Sequence, residues 1–182
     1  MDLSKIPVGQ DVPNQVYAVI ENPMGGDPVK YELDKDSGAM FVDRFLHTAM
    51  YYPGNYGFIP HTLSGDGDPV DILVIGRTPV MPKAVLPCRP IGVLLMEDEA
   101  GLDEKILAVP SDNLHPYHAD VQSYQDIRPI HLEQIEHFFQ HYKDLEKGKW
   151  VKNLEWQGAD IAKQLILEGV KRAEPTQAAK VS

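Results

Sequence analysis

Short apolar runs set off by turn-forming residues dominate the first two thirds of this 182-residue chain, and they limit what it can fold into. Val16–Ile20, Val29–Leu33, Phe41–Phe45, Val70–Ile75, Ile91–Met96 and Lys105–Val109 are each a few residues long and rich in β-branched or aromatic side chains. Runs of that length and composition predict strands. The 14 glycines and 15 prolines concentrate in the same region and punctuate the runs. Asp98-Glu99-Ala100-Gly101 separates two of them and reads as a hairpin turn. No helical pattern lies between the strands, so a small antiparallel barrel is expected rather than a βαβ sheet.

The last third has a different period. From Ile130 to Glu146, Leu132, Ile135, Phe138, Phe139, Tyr142 and Leu145 form a helical stripe, ended by Lys147-Gly148. A second helix over Ala159–Arg172 groups Ala162, Leu165, Ile166, Gly169 and Val170. The fold class expected is therefore α+β, mainly β. Residues 1–174 read as one domain, and 175–182 as a flexible tail.

Charge narrows the partners. The formal net charge is −10 and there is no basic run, which argues against nucleic acid, where phosphate contacts supply most of the affinity. An anionic ligand would need a local cluster of Lys and Arg, or divalent cations captured first. No apolar run approaches the about 20 residues of a membrane helix. The opening Met1-Asp2-Leu3-Ser4-Lys5-Ile6-Pro7 lacks the apolar stretch of a secretory signal, and Cys88 is the single cysteine. A cytoplasmic protein is the expectation.

The segment carrying the sharpest chemistry is Gly65-Asp66-Gly67-Asp68-Pro69-Val70-Asp71. Three carboxylates within six residues repel one another unless solvated or neutralised, and hard oxygen donors suit Mg²⁺ or Mn²⁺. An EF-hand does not fit: with Asp66 first, Asp71 stands where the invariant glycine belongs and Arg77 where the bidentate Glu belongs. A plain Asp/Gly surface turn is the competing reading. Lys30 and Glu32 alternate with apolar neighbours, as Asp103 and Lys105 share a strand face; simple cross-strand ion pairing would account for either pair. Tyr51-Tyr52-Pro53-Gly54-Asn55-Tyr56 crowds phenols that could cover the core or donate to an anion. His137 and His141 stand one helical turn apart, but the HExxH glutamate is missing and zinc is disfavoured.

Taken together these segments resemble family I soluble inorganic pyrophosphatases of the bacterial type. The resemblance runs from about Glu21 to Val170 and rests on Gly-Asp-Gly-Asp-Pro-Val-Asp, on Tyr52-Pro53-Gly54-Asn55-Tyr56-Gly57-Phe58-Ile59-Pro60, on the Asp98 hairpin with Asp103 and Lys105, and on His137 through Glu146. It implies a five-stranded, OB-like curved barrel flanked by two helices, and a hydrolase that splits inorganic pyrophosphate into two orthophosphates with no covalent enzyme intermediate. Several Mg²⁺ ions per site, replaceable by Mn²⁺ or other divalents, would activate the attacking water. By the same resemblance Asp66, Asp71, Asp98 and Asp103 are metal ligands, Glu21 and Glu32 outer carboxylates, and Asp68 the acceptor of the water's proton. Lys30, Arg44, Tyr56, Lys105, Tyr142 and Lys143 would contact the phosphoryl groups, with Tyr52 supporting the site from behind. His137, His141 and Asp144 would lie at the interface of a homohexamer. Two other classes compete with this reading: a non-catalytic divalent-cation module, and an OB-like barrel holding single-stranded nucleic acid, against which the charge argues.

Overall fold

A computed structural model describes residues 1–174; the expected tail at 175–182 lies outside the described residues. Each of the six anticipated runs forms a strand: β1 (Val16–Asn22), β2 (Val29–Leu33), β3 (Met40–Phe45), β5 (Asp71–Val74), β6 (Val85–Asp98) and β7 (Gly101–Pro110). Two more, β4 (Asn55–Phe58) and β8 (Val151–Gly158), were not foreseen. Strand β4 lies in a stretch whose Pro, Gly and Asn read as turn, and β8 in a polar stretch with no alternation of burial to betray it.

The strands close on themselves. Their order is β1-β4-β5-β7-β6, and a further pairing of β6 with β1 completes a ring of five, with β8 added at the outer edge of β6. Closure depends on the length of β6. Its start pairs with β1 (Val16 opposite Cys88), and its remainder serves β7 and β8. A register shift between Pro90 and Gly92 bends it between these partners, as bulges do. The expected antiparallel pairing holds throughout the ring except between β5 and β7, which run parallel because β6 is inserted between them in the chain. Strands β2 and β3 form a separate antiparallel hairpin.

Both faces of the central strands are buried. On β5, Leu73 packs with Tyr56, Leu94, Met96 and Leu107 beneath Ile135, Phe138 and Phe139 of helix α1 (Pro129–His141). The alternate residues Ile72 and Val74 pack with Val16, Ala18, Ile20, Ile106 and Ala108 against Ala162 and Ile166 of helix α2 (Ala159–Ala173). Cys88 belongs to this second layer, where burial pushes its thiol well up from its ordinary value. Helix α2 keeps its expected bounds to within one residue. Helix α1 stops at His141, five residues short of the expected end, because Asp144 N–H and Glu146 N–H turn back to the carbonyls three residues earlier, at His141 and Lys143. Leu145 therefore leaves the apolar stripe and is exposed.

Candidate active site

The acidic loop is built by its own backbone. Gly67 adopts φ +93°, a conformation glycine tolerates and other residues resist. Asp66 Oδ1 accepts from the Asp68 N–H at 3.0 Å, and the Ser64 N–H donates to the Asp68 carbonyl at 2.7 Å. This tight turn leaves Asp66 and Asp68 exposed and delivers Asp71 to the first position of β5.

Ring register then brings distant residues to the same place. The parallel β5–β7 pairing sets Asp71 opposite Lys105, and Asp103 lies two residues before Lys105 on β7. Lys105 Nζ sits between the two acids, bonded to Asp71 and, at 2.8 Å, to Asp103. Burial opposes its charge, but the neighbouring Asp71 and Asp103 carboxylates outweigh that and hold its pKa well above the usual lysine range. Asp98, at the end of β6, accepts from Lys143 Nζ at 2.7 Å. There too burial is outweighed, Asp98 being lowered by Lys143, and Lys143 raised by Tyr142 and Asp98.

From the other side the β2–β3 hairpin contributes Lys30, Glu32 and Arg44, with Lys30 and Arg44 cross-strand partners. Lys30 donates to Asp43 at 2.9 Å. Glu21, near the end of β1, is buried and accepts the Leu33 N–H at 2.8 Å. Burial pushes its carboxyl up to about 7, and the negative charges of Asp71 and Glu32 add to the effect.

Apart from Asp43, these charged side chains meet at one cleft of about 260 Å³. That is below the roughly 300–1,000 Å³ of pockets for organic ligands and suits a small ion. Its acidic lining is Glu21, Glu32, Asp66, Asp68, Asp71, Asp98 and Asp103. Its cationic lining is Lys30, Lys35, Arg44, Lys105, Lys143 and Lys149, and Tyr56 and Tyr142 face it as well. The two alternatives posed by the net charge are thus joined, since a cationic cluster and a set of hard oxygen donors share one cleft. Tyr52 lies outside the lining, stacked behind Tyr56 with ring centres 5.1 Å apart and against Phe138 at 4.8 Å. Burial raises the pKa of both Tyr52 and Tyr56 well above the usual phenol range, so they stay neutral donors.

The three residues expected at a subunit interface do not line the cleft. His137 and His141 lie side by side on α1 with tilted rings whose centres are 4.6 Å apart, and His141 Nδ1 lies 2.7 Å from Asp144 Oδ2. Conversely, Lys35, Glu99 and Lys149 escaped the sequence reading. Lys35 approaches Asp68 at 3.9 Å from the turn after β2, while Glu99 pairs with Lys149 and, at 3.7 Å, with Lys143. Lys35 and Lys149 stand in segments that read only as a turn and a helix stop, so no local signal marked them. Glu99 sat inside the recognised hairpin, and its neighbourhood to Asp98 was the available hint.

Comparison with known proteins decides the family. The inorganic pyrophosphatase family pattern matches residues 18–174. The chain belongs to the inorganic pyrophosphatase family. Among relatives, the inorganic pyrophosphatase of Rhodospirillum rubrum is 62% identical over 170 residues, covering 93% of this chain and 95% of its own. That of Pseudomonas aeruginosa is 55% identical over 93% of this chain and 97% of its own. A solved structure described as an inorganic phosphatase from Anaplasma phagocytophilum superposes with a TM-score of 0.91 at 50% identity, covering 94% of this chain and all of that one. The Thermus thermophilus inorganic pyrophosphatase gives 0.89 at 42% identity, over 96% and 100% of the two chains. The five-strand ring with two helices is accordingly the pyrophosphatase fold.

The donor set is of the kind a pyrophosphatase metal site requires, with carboxylate oxygens and no soft ligands in the cleft. Among the described residues no group of three His, Cys, Asp or Glu side chains is drawn together tightly enough to hold a metal ion unaided. Lys105 Nζ lies between Asp71 and Asp103 and is bonded to both. Among the described residues no lysine lies within hydrogen-bonding distance of Asp66 or Asp68, and both are exposed.

Proposed function

We propose that this chain hydrolyses inorganic pyrophosphate to two orthophosphates by in-line attack of water, without a covalent enzyme intermediate. The observation that carries the reading is the cleft itself, in which the carboxylates of a tight loop share one small space with six cationic side chains. Family membership supports it.

Lys30, Arg44, Lys105 and Lys143 would hold the phosphoryl oxygens electrostatically, and the hydroxyls of Tyr56 and Tyr142 would donate hydrogen bonds to them. Phosphoryl transfer needs positioning and charge stabilisation more than covalent chemistry, and cations fixed around the cleft would supply both. Asp68, exposed and with its main-chain N–H bonded to Asp66, would take the proton of the attacking water. Tyr52 would keep Tyr56 in place from behind. Asp66, Asp71, Asp98 and Asp103 would hold Mg²⁺, several ions per site and replaceable by Mn²⁺ or other divalents, with Glu21 and Glu32 acting through water. When bound, such ions neutralise phosphate charge and lower the pKa of a coordinated water.

The purified chain is expected to release orthophosphate from pyrophosphate with Mg²⁺ and to stop when EDTA is added. Release unaffected by EDTA would remove the metal requirement, and no release at all would leave only the cation-module reading. We further propose a cytoplasmic homohexamer joined through His137, His141 and Asp144, in keeping with the exposed His141–Asp144 pair and a single buried thiol. Sedimentation of the native protein is expected at six chain masses, and His137→Ala with His141→Ala should lower it.

A further inference from the structure

Arg44 is held at one corner only. Its Nη1 donates to Glu146 Oε2 at 3.0 Å, in an ion pair whose side chains are 25% and 11% exposed. Among the described residues Arg44 Nε is buried with no hydrogen-bond partner, and so is Glu146 Oε1. The nearest alternative carboxylate, Asp43, stays 3.9 Å from Nε and is already bonded to Lys30 at 2.9 Å. Arg44 faces the cleft, whereas Glu146 does not.

We propose that Glu146 is a positioning residue that aims Arg44 at the pyrophosphate. This inference rests on the reading of function above. A guanidinium taken out of water requires a counter-charge, and a bidentate carboxylate would occupy the face of its fork that an oxyanion needs. A single-point tether meets the first requirement and leaves donors for the substrate. The turn that ends α1 makes this possible. By folding Glu146 N–H back onto the Lys143 carbonyl at 2.8 Å, it places Glu146 beneath β3 while Tyr142 and Lys143 face the cleft. Without Glu146, the long arginine side chain would turn to Asp43 and compete with Lys30 for it, so two cleft cations would lose their places.

Glu146 also helps tie this turn to the segment after β3, where Thr48 Oγ1 donates to the Tyr142 carbonyl at 3.1 Å and the His47 ring lies 3.3 Å from the Leu145 carbonyl. The test must therefore separate aiming from mere tethering. Steady-state kinetics with Mg²⁺-pyrophosphate would be run on the native protein, Glu146→Ala, Glu146→Gln, Arg44→Ala and the Arg44→Ala/Glu146→Ala and Arg44→Ala/Glu146→Gln pairs, with circular dichroism on each. Glu146→Ala is expected to raise KM about tenfold with kcat within about threefold. Glu146→Gln, which keeps an acceptor oxygen, should raise KM only about threefold. Both effects should shrink below about twofold when Arg44 is already alanine, as expected of residues acting through one another. If Glu146→Ala fails to fold, the glutamine pair decides alone. An unchanged KM in the glutamine variant, or equal losses with and without Arg44, overturns the proposal. A native protein that releases no phosphate overturns instead the reading of function on which it rests.

Discussion

Replacing Asp68 by asparagine is expected to lower turnover by about 10²–10⁴-fold, the usual worth of a general base, while leaving Mg²⁺ binding largely intact. Asparagine has the same shape as aspartate, and the turn around position 68 is made by main-chain groups and by Asp66, not by the Asp68 side chain. The loop should therefore survive the change, and only the capacity to accept a proton is lost. Initial rates of phosphate release at saturating Mg²⁺ measure this directly. A variant retaining more than about a tenth of native turnover would show that the proton goes elsewhere. Asp71→Ala gives the contrast. Asp71, placed by the proposed function among the metal ligands, opens β5 opposite Lys105, and its loss should move the midpoint of Mg²⁺ activation to higher concentration; an unchanged midpoint would count against that role.

The largest effect on stability is expected from Gly57→Ala. Gly57 sits in the middle of β4, opposite Ile20 of β1 on one side and Ile72 of β5 on the other. A Cβ there would lie 1.9 Å from the Val19 carbonyl oxygen and 2.8 Å from its carbon. The obstacle is the main chain of a fully buried residue, so no side-chain rotation relieves it. Either β1 and β4 part or the chain fails to close its ring. A loss above about 4 kcal/mol is expected, in the range reached only by specific structural failures. Urea denaturation followed by circular dichroism would measure it, and a loss below about 1 kcal/mol would show that the strands can separate at little cost.

Gly57 also illustrates why part of the fold was hidden. In the sequence it stands among Pro53, Gly54, Asn55 and Pro60 and suggests a turn. In the structure its purpose is a close approach of two backbones, a requirement that no neighbour in the chain encodes. Strand β8 was missed for a related reason. Its edge position on β6 leaves Lys152, Asn153 and Glu155 exposed, so burial imposes no alternation on it. The end of α1 was overrun because the apolar stripe continues to Leu145, although the last turn is made with shorter-range bonds.

What the sequence determined by itself was local. Short apolar runs bounded by turn formers marked strands and a helical stripe marked helices, and the spacing of Asp66, Asp68 and Asp71 fixed three carboxylates on one glycine-loosened loop, because neighbouring residues stay neighbours in any fold. What only the tertiary structure decided was which distant charges meet. Closure of β6 onto β1, together with the parallel alignment of β5 and β7, brings Glu21, Asp98, Lys105 and Lys143 to the mouth of that loop, and the turn after α1 slides Glu146 under Arg44. Such meetings depend on ring closure and strand register, which are collective outcomes of burying both faces of the sheet, and no single segment carries them.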